Sequence, residues 1–512
     1  MKKLPIGIQD FKELRTEEFL YIDKTQLIHD IVTSGKYFFL SRPRRFGKSL
    51  LISTLAEIFK GSKALFEDLW IATNWDWSQT NPVLEFRFNN AAYKEIGLKA
   101  YLLDRLDEHA KAFGISFDYS SYPDRFRELI MKISEKHGKV AVLVDEYDKP
   151  IIDYLEDLPK AEENRDILKS FYSVIKPLDA NLRFVFLTGV SKFSKTSIFS
   201  ELNNLKDLTM SKQFSSICGY TQDELDSYFE AHRKLLAQDF EQDDTWVRDE
   251  VKRWYNGYAW GNRAIRLYNP FSILQLYQDR QFMNYWFESG TPTFLIKLLN
   301  RHGVYDMESI QATSASFGSF DLNNISPETL LFQTGYIAIK KDLGLGLYEL
   351  GYPNQEVRES MLQYLLADYT KGGQGRSAAP ALLMAHALLQ GHTDELKTQI
   401  NALLGAIPYD LHQKNEAYYH TVMHLAFSLI GVHIQSEIHV AKGRLDCIVN
   451  TDHTTYIFEF KVDSSAQEAL EQIKNNGYAQ PYLGNGKPVL GIGVSFSTEA
   501  KEVTSWLVEE LT

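Results

Sequence analysis

Between residues 35 and 200, short continuous apolar runs alternate with stretches of helical spacing. Tyr37-Phe38-Phe39-Leu40 reads as a buried strand, and Leu50 to Phe59 repeats apolar residues at the spacing of one helix face. Val83–Phe88, Val140–Val144 and Arg183–Gly189 are further strand candidates. Continuous rather than alternating apolar runs suit strands buried on both faces of a parallel sheet, with helices between them. The expectation is an α/β fold whose ligands sit at the carboxyl ends of the strands.

After residue 220 the pattern becomes mostly helical. Thr221 followed by Glu224 predicts a capping box. Phe332–Ile339 and Leu347–Leu350 read as two strands around a turn containing Gly344 and Gly346, a hairpin compatible with a winged-helix-like module. Lys371 to Ser377 reads as a loop or linker. A compact α/β pattern begins at about 400. In Arg444–Val449 and Tyr456–Lys461 polar and apolar positions alternate with period two. The predicted divisions are 1–215, 216–400 and 401–512.

At 512 residues, with 44% apolar and 24% charged residues, the chain is long enough for about three globular domains. The 28 tyrosines and 31 phenylalanines argue against extended disorder. Two distant cysteines, Cys218 and Cys447, exclude a disulfide framework and a thiolate zinc site. No leader pattern and no apolar stretch of about 18 residues is present, so a cytoplasmic location with no membrane partner is expected. A formal charge of −12 argues against non-specific coating of nucleic acid.

The candidate chemistry begins at Ser41-Arg42-Pro43-Arg44-Arg45-Phe46-Gly47-Lys48-Ser49. Strand, loop, Gly-Lys-Ser and helix together form the setting of a phosphate-binding loop. Backbone N–H groups at the helix start would face an anion. Lys48 would reach the terminal phosphates of ATP, and the Ser49 hydroxyl would hold Mg²⁺. The usual first glycine is Arg42, and Pro43 removes a backbone donor. Arg44 and Arg45 would offset that loss, and Phe46 and Gly47 complete the cofactor-binding stretch. Val140–Val144 runs into Asp145-Glu146-Tyr147-Asp148. Asp145 would bind the Mg²⁺ shell, and Glu146 would orient or deprotonate the attacking water. Thr188 would sense the γ-phosphate. Arg183, Arg253 and Arg263 are alternatives for an arginine finger.

Gly7–Phe11, Tyr21–Thr25, Ser41–Ser49 and Val144–Asp148 together resemble the bacterial AAA-ATPase-like proteins, which commonly carry a C-terminal PD-(D/E)xK nuclease-superfamily domain. The resemblance covers most of the chain, and Arg42 to Ser49 matches the family's own variant of the loop. It implies that 7–25 packs beside the nucleotide. From the residues themselves, Asp23-Lys24-Thr25 reads as a helix start capped by Asp23 or Thr25.

In the C-terminal strands, Asp446 shares a face with Arg444 and Ile448, and Glu459 shares one with Lys461. A hairpin turn at Asn450–His453 would bring Asp446 and Glu459 together. Two carboxylates and a lysine suit metal-assisted phosphodiester cleavage, because Mg²⁺ prefers hard oxygen ligands. The pattern is similar to the Asp…Glu-x-Lys core of that superfamily, which implies Asp446, Glu459 and Lys461 as the active set, with Asp446 and Glu459 on the metal. Ser465 and Glu468 predict a capping box, Ala466, Ala469, Leu470 and Ile473 an apolar stripe, and Gly477 a helix end. Gln472 and Tyr478 resemble positions that accompany the core. Glu416 reads as a first-turn acid. His420 and His424 lack the intervening glutamate of a zinc motif.

The leading expectation is an ATP-binding and ATP-hydrolysing protein whose C-terminal domain cleaves DNA or RNA. The alternative is a nucleotide-gated interaction or regulatory protein with a catalytically silent nuclease-like domain. A small-molecule phosphotransferase is a third reading. Homo-oligomer and protein partners stay open.

Overall fold

The computed structural model describes residues 2–512 except 90–91, 193–203, 262–264, 289–292, 303–306, 319–325, 371–373, 406, 408–415, 434–436 and 441–445. Two compact units are present, Met1–Gly290 with Met307–Asn354, and Thr291–Asp306 with Gln355–Thr512.

In the first unit, two short helices, α1 (Phe11–Thr16) and α2 (Thr25–Ser34), precede strand β1 (Tyr37–Ser41) and helix α3 (Lys48–Lys60). Strands β2 (Val83–Arg87), β3 (Val140–Asp145), β4 (Leu182–Gly189) and β5 (Lys206–Asp207) follow. The sheet order is β2-β3-β4-β1-β5, with every pairing parallel. All residues of β1 and β3 are buried, as continuous apolar runs require when both faces are covered. Because β4 lies between β1 and β3, the end of β4 separates the phosphate loop from the acid pair.

The rest of this unit is helical with two small sheets. Thr221 and Glu224 form the expected capping box, with bonds of 3.2 and 2.8 Å. Strands β6 (Asn256–Tyr258) and β7 (Leu267–Tyr268) pair with each other. Strands β8 (Ile310–Thr313), β9 (Ala338–Gly344) and β10 (Leu347–Gly351) form an antiparallel sheet in the order β8-β10-β9. The hairpin expected around Gly344 and Gly346 is present, but Phe332 to Thr334 belong to helix Pro327–Thr334 rather than to its first strand. Ser326 caps that helix, Pro327 sits in its first turn, and Gly335 closes it in the left-handed conformation. These local signals override the strand propensity of the residues between them.

In the second unit, Gln374–Ser377 begin helix Gln374–Gln390 and are not a linker. The Ala- and Leu-rich run that follows favours helix strongly enough to extend over Gly375. Strands β11 (Glu437–Val440), β12 (Asp446–Asn450), β13 (Thr455–Val462), β14 (Val489–Ser497) and β15 (Glu502–Glu510) form a mixed sheet in sequence order. Only β13 and β14 are parallel, joined through helix Ala466–Asn475. Tyr456 donates to the Leu388 carbonyl at 2.9 Å, and Val503 N–H to Asn401 at 2.8 Å. Helices preceding residue 405 thus pack on this sheet. Arg444 and Leu445 of the expected strand lie outside the described residues.

Candidate functional site

The loop after β1 turns at Gly47, which caps α3 at φ 92°. That left-handed conformation costs an L side chain roughly 1–2 kcal/mol and costs glycine nothing. Lys48, the first residue of α3, is buried, and its ammonium donates to the Arg42 and Pro43 carbonyls at 2.9 and 2.8 Å. The loop's own oxygens hold it where a phosphate chain would lie.

Arg42 does not face that space. It is fully buried and donates to the carbonyls of Ser41 (2.8 Å), Thr209 (2.9 Å) and Ser215 (3.3 Å). Its guanidinium stacks 4.3 Å from the Trp260 ring. Burial pulls its pKa down to about 10, so it remains charged at neutral pH. Arg42, where a glycine is usual, therefore ties the loop base to the segment that follows β5. Phe46 is also fully buried, edge-on to Tyr258 and Trp260, and Trp286 donates to the Arg44 carbonyl at 3.0 Å. Arg45, at φ 64°, lies exposed over the Phe271 ring at 4.2 Å.

Above the loop lies a cavity of about 480 Å³ lined by Arg44 to Ser49. Gly7, Ile8 and Tyr21 form one wall, and Cys218, Tyr220 and Phe271 another. Its size is that of small-molecule sites in general. Lys24, which also lines the cavity, forms a half-buried 2.5 Å ion pair with Glu224. Burial lowers the Lys24 pKa, and Glu224 opposes that shift. The N-cap of α2 is Lys24, and neither Asp23 nor Thr25, the two expected caps, occupies that position. Asp23 instead braces the helix start, Oδ1 accepting from Thr25 N–H (2.8 Å) and Oγ1 (2.6 Å) and Oδ2 from Trp70 N–H at 2.8 Å.

The acid pair stands at the end of β3. Asp145 is fully buried at the end of β3, and Oδ1 accepts from Thr188 Oγ1 at 2.7 Å. Its Oδ2 is buried with no hydrogen-bond partner among the described residues. A buried carboxylate oxygen of that kind is costly unless a cation or water meets it, so the site fits Mg²⁺. Glu146 lines the cavity at φ 55°. Burial raises its pKa, Lys48 lowers it, and Asp145 and Asp148 raise it further. Asp148 Oδ2 receives Val190 N–H, Ser191 N–H and Ser191 Oγ at 3.0, 2.6 and 2.7 Å, pinning the chain beyond β4.

Two lining residues of the cavity, Asn89 and Lys149, are absent from the sequence-based site. Lys149 had a visible signal, a cation one turn after the acid pair; Asn89 had none. Among the finger alternatives, Arg183 lies at the opposite end of β4 from Thr188, over the Phe59 ring. Arg253 bonds Glu250, and Arg263 lies outside the described residues.

In the second unit, strand register places Asp446 directly opposite Glu459. Glu459 is buried, and Lys461 Nζ lies 3.0 Å from its Oε1 and 2.5 Å from Gln472 Oε1. Gln472 stands on helix Ala466–Asn475, whose buried face is Ala466, Ala469, Leu470 and Ile473. Only half of the expected capping box forms. Ser465 Oγ accepts from Glu468 N–H at 3.2 Å, but the Glu468 carboxylate is taken by the Ser464 hydroxyl. The register thus sets Asp446 and Glu459 at paired positions on adjacent strands, with Lys461 beside Glu459.

The model of a family described as predicted AAA-ATPase matches residues 5–199, and that of the PD-(D/E)XK nuclease superfamily matches 414–506. An uncharacterised protein in the vnfD 5′ region of Azotobacter chroococcum mcd 1 is 40% identical over 531 residues, covering 100% of this chain and 99% of its own. Two solved structures from Aeropyrum pernix share 12% and 14% identity. ORC1 in complex with DNA has a TM-score of 0.25 over 66% of this chain and 91% of its own. ORC2 in ADPNP-ADP complexes has 0.28 over 67% and 92%. Similarity of that degree assigns neither fold nor function. The full-length relative and the two matched segments place this chain in the family of predicted AAA-ATPases that carry a C-terminal PD-(D/E)XK nuclease-superfamily domain.

Proposed function

We propose that this protein binds ATP in the cavity above Arg44–Ser49 and hydrolyses it, and that its C-terminal domain cleaves nucleic acid. One constellation carries the first part: Lys48 and Glu146 line a ligand-sized cavity, and Glu146 directly follows the buried Asp145, whose Oδ2 has no hydrogen-bond partner among the described residues. Lys48 would exchange its carbonyl partners for phosphate oxygens. Ser49 and Asp145 would hold Mg²⁺, which when bound neutralises phosphate charge. The ionised Glu146 carboxylate accepts a proton from water as the water oxygen bonds to Pγ. The Pγ–O bond to the β-phosphate breaks, and ADP leaves with inorganic phosphate.

In the C-terminal domain, Asp446 and Glu459 would hold a divalent cation, which when bound acidifies water and offsets phosphate charge. Gln472 orients the Lys461 ammonium, which donates to a phosphodiester oxygen. DNA and RNA both present that group.

Calorimetry with Mg²⁺ and ATP tests the first part. Wild type is expected to take up nucleotide, and Lys48→Ala to lose it; no uptake by folded wild type removes the proposal. Labelled DNA and RNA incubated with wild type and Glu459→Ala test the second. Equal background products from both leave a nucleotide-gated interaction protein with a silent nuclease-like domain.

A further inference from the structure

Phosphoryl transfer needs a cation at the terminal phosphate beyond the loop lysine. The arginines offered by the sequence do not meet that need among the described residues. Arg183 stands at the wrong end of its strand, and Arg253 is engaged by Glu250. Arg44 and Arg45 line the cavity from the loop side, with Arg45 drawn over Phe271. Lys149 lines the same cavity from the side of the acids.

Its position is built. Lys149 N–H donates to the Glu146 carbonyl at 3.0 Å, holding the two residues within one tight turn. Tyr147 N–H bonds the Thr188 carbonyl at 3.0 Å and pins that turn to β4. The Lys149 ammonium lies 3.0 Å from Asp153 Oδ2. The same carboxylate accepts Lys94 at 2.7 Å and the Tyr93 hydroxyl at 2.8 Å. Two ammonium groups share this one carboxylate, so Asp153 does not neutralise both.

We infer that Lys149 is the in-chain cation that meets the charge developing on the terminal phosphate, in place of an arginine finger. The inference rests on the ATPase reading and adds a catalytic residue to it. Asp153 is a positioning residue that holds the ammonium without neutralising it, because Lys94 competes for its charge.

The test is Mg²⁺-dependent phosphate release by the full-length chain, with ATP affinity measured separately by calorimetry. Lys149→Met keeps the aliphatic stem and removes the charge. Its kcat is expected to fall about 100-fold, with affinity changed less than about threefold. Lys149→Arg should recover most of the loss, and Lys94→Met, which removes the competitor for Asp153 but leaves the Lys149 ammonium in place, should lower kcat by clearly less than Lys149→Met does. A merely structural salt bridge would make the two methionine variants alike. Lys149→Gln is the second neutral variant should Lys149→Met not fold. Phosphate release by either neutral variant at the wild-type rate overturns the inference and leaves the ATPase reading standing. No release from wild type overturns both.

Discussion

Thr188 Oγ1 donates to Asp145 Oδ1 across 2.7 Å, from the end of one parallel strand to the end of its neighbour. The bond fixes the carboxylate plane and leaves Oδ2 partnerless in a buried site. On the proposed ATPase reading, Thr188 would act on nucleotide binding through Asp145. A hydrogen bond to a charged group contributes about 1.5 kcal/mol or more, roughly tenfold in affinity. Thr188→Val is expected to weaken Mg²⁺-ATP binding by about tenfold. With the metal chelated, the two proteins should bind ATP alike. Titration of a fluorescent ATP analogue with and without Mg²⁺ checks this, and an equal loss in both conditions would contradict the assignment.

Arg42 separates stability from binding. Replacing it with methionine leaves three carbonyls without their donor and removes the stack on Trp260. Unsatisfied buried groups of this kind cost about 1–3 kcal/mol each, so a loss of about 3 kcal/mol or more is expected. The guanidinium does not line the cavity, so the folded fraction should bind ATP within about threefold of wild type. Urea unfolding and calorimetry on one preparation decide it. Weakened binding with unchanged stability would return Arg42 to the phosphate site.

Glu146 carries a stability cost that depends on pH. Burial raises its pKa, so the folded chain holds this proton more tightly than the unfolded chain does. The group's favourable contribution is complete below the unfolded carboxylate pKa and is lost as pH rises through the folded value. Glu146→Gln removes the titration. The variant should be more stable than wild type at pH 7.5. The difference should shrink as pH falls below the ordinary glutamate range, while phosphate release is lost throughout. Urea midpoints at several pH values measure it, and a pH-independent difference would exclude a raised Glu146 pKa as the cause.

The parallel sheet and the acid-bearing strand end were legible because Tyr37–Leu40, Val140–Val144 and Arg183–Gly189 are continuous apolar runs, the pattern that burial on both faces imposes. The opposition of Asp446 and Glu459 was legible from a period of two and one short turn. What escaped was non-local. Phe46 meets Tyr258 and Trp260, and Lys24 meets Glu224, across some two hundred residues, and no periodicity encodes such partners. Ile217 to Tyr220, Pro270, Phe271 and Leu274 line the cavity, a role that no local pattern marks. Phe332–Thr334 failed for the opposite reason: caps at both ends decided the conformation against the residues' own propensity.

Gly493 tests whether helix Ala466–Asn475 supports the C-terminal site. It pairs in register with Glu459, and a Cβ there would lie 2.1 Å from the Ala466 carbonyl oxygen and 3.1 Å from Leu470 N. Both neighbours are backbone of the helix start, so no side-chain rotation relieves the clash. Gly493→Ala must push the helix off the sheet, at a cost of about 1–3 kcal/mol. The same helix carries Gln472, whose Oε1 holds Lys461. Hydrogen exchange should therefore show lost protection in β13, β14 and the helix, with β1 of the same sample as reference. Any metal-dependent cleavage should fall with it, as Lys461 loses its partner. Full protection in the variant would mean that helix and sheet tolerate separation, and that Gln472 does not depend on this contact for its place.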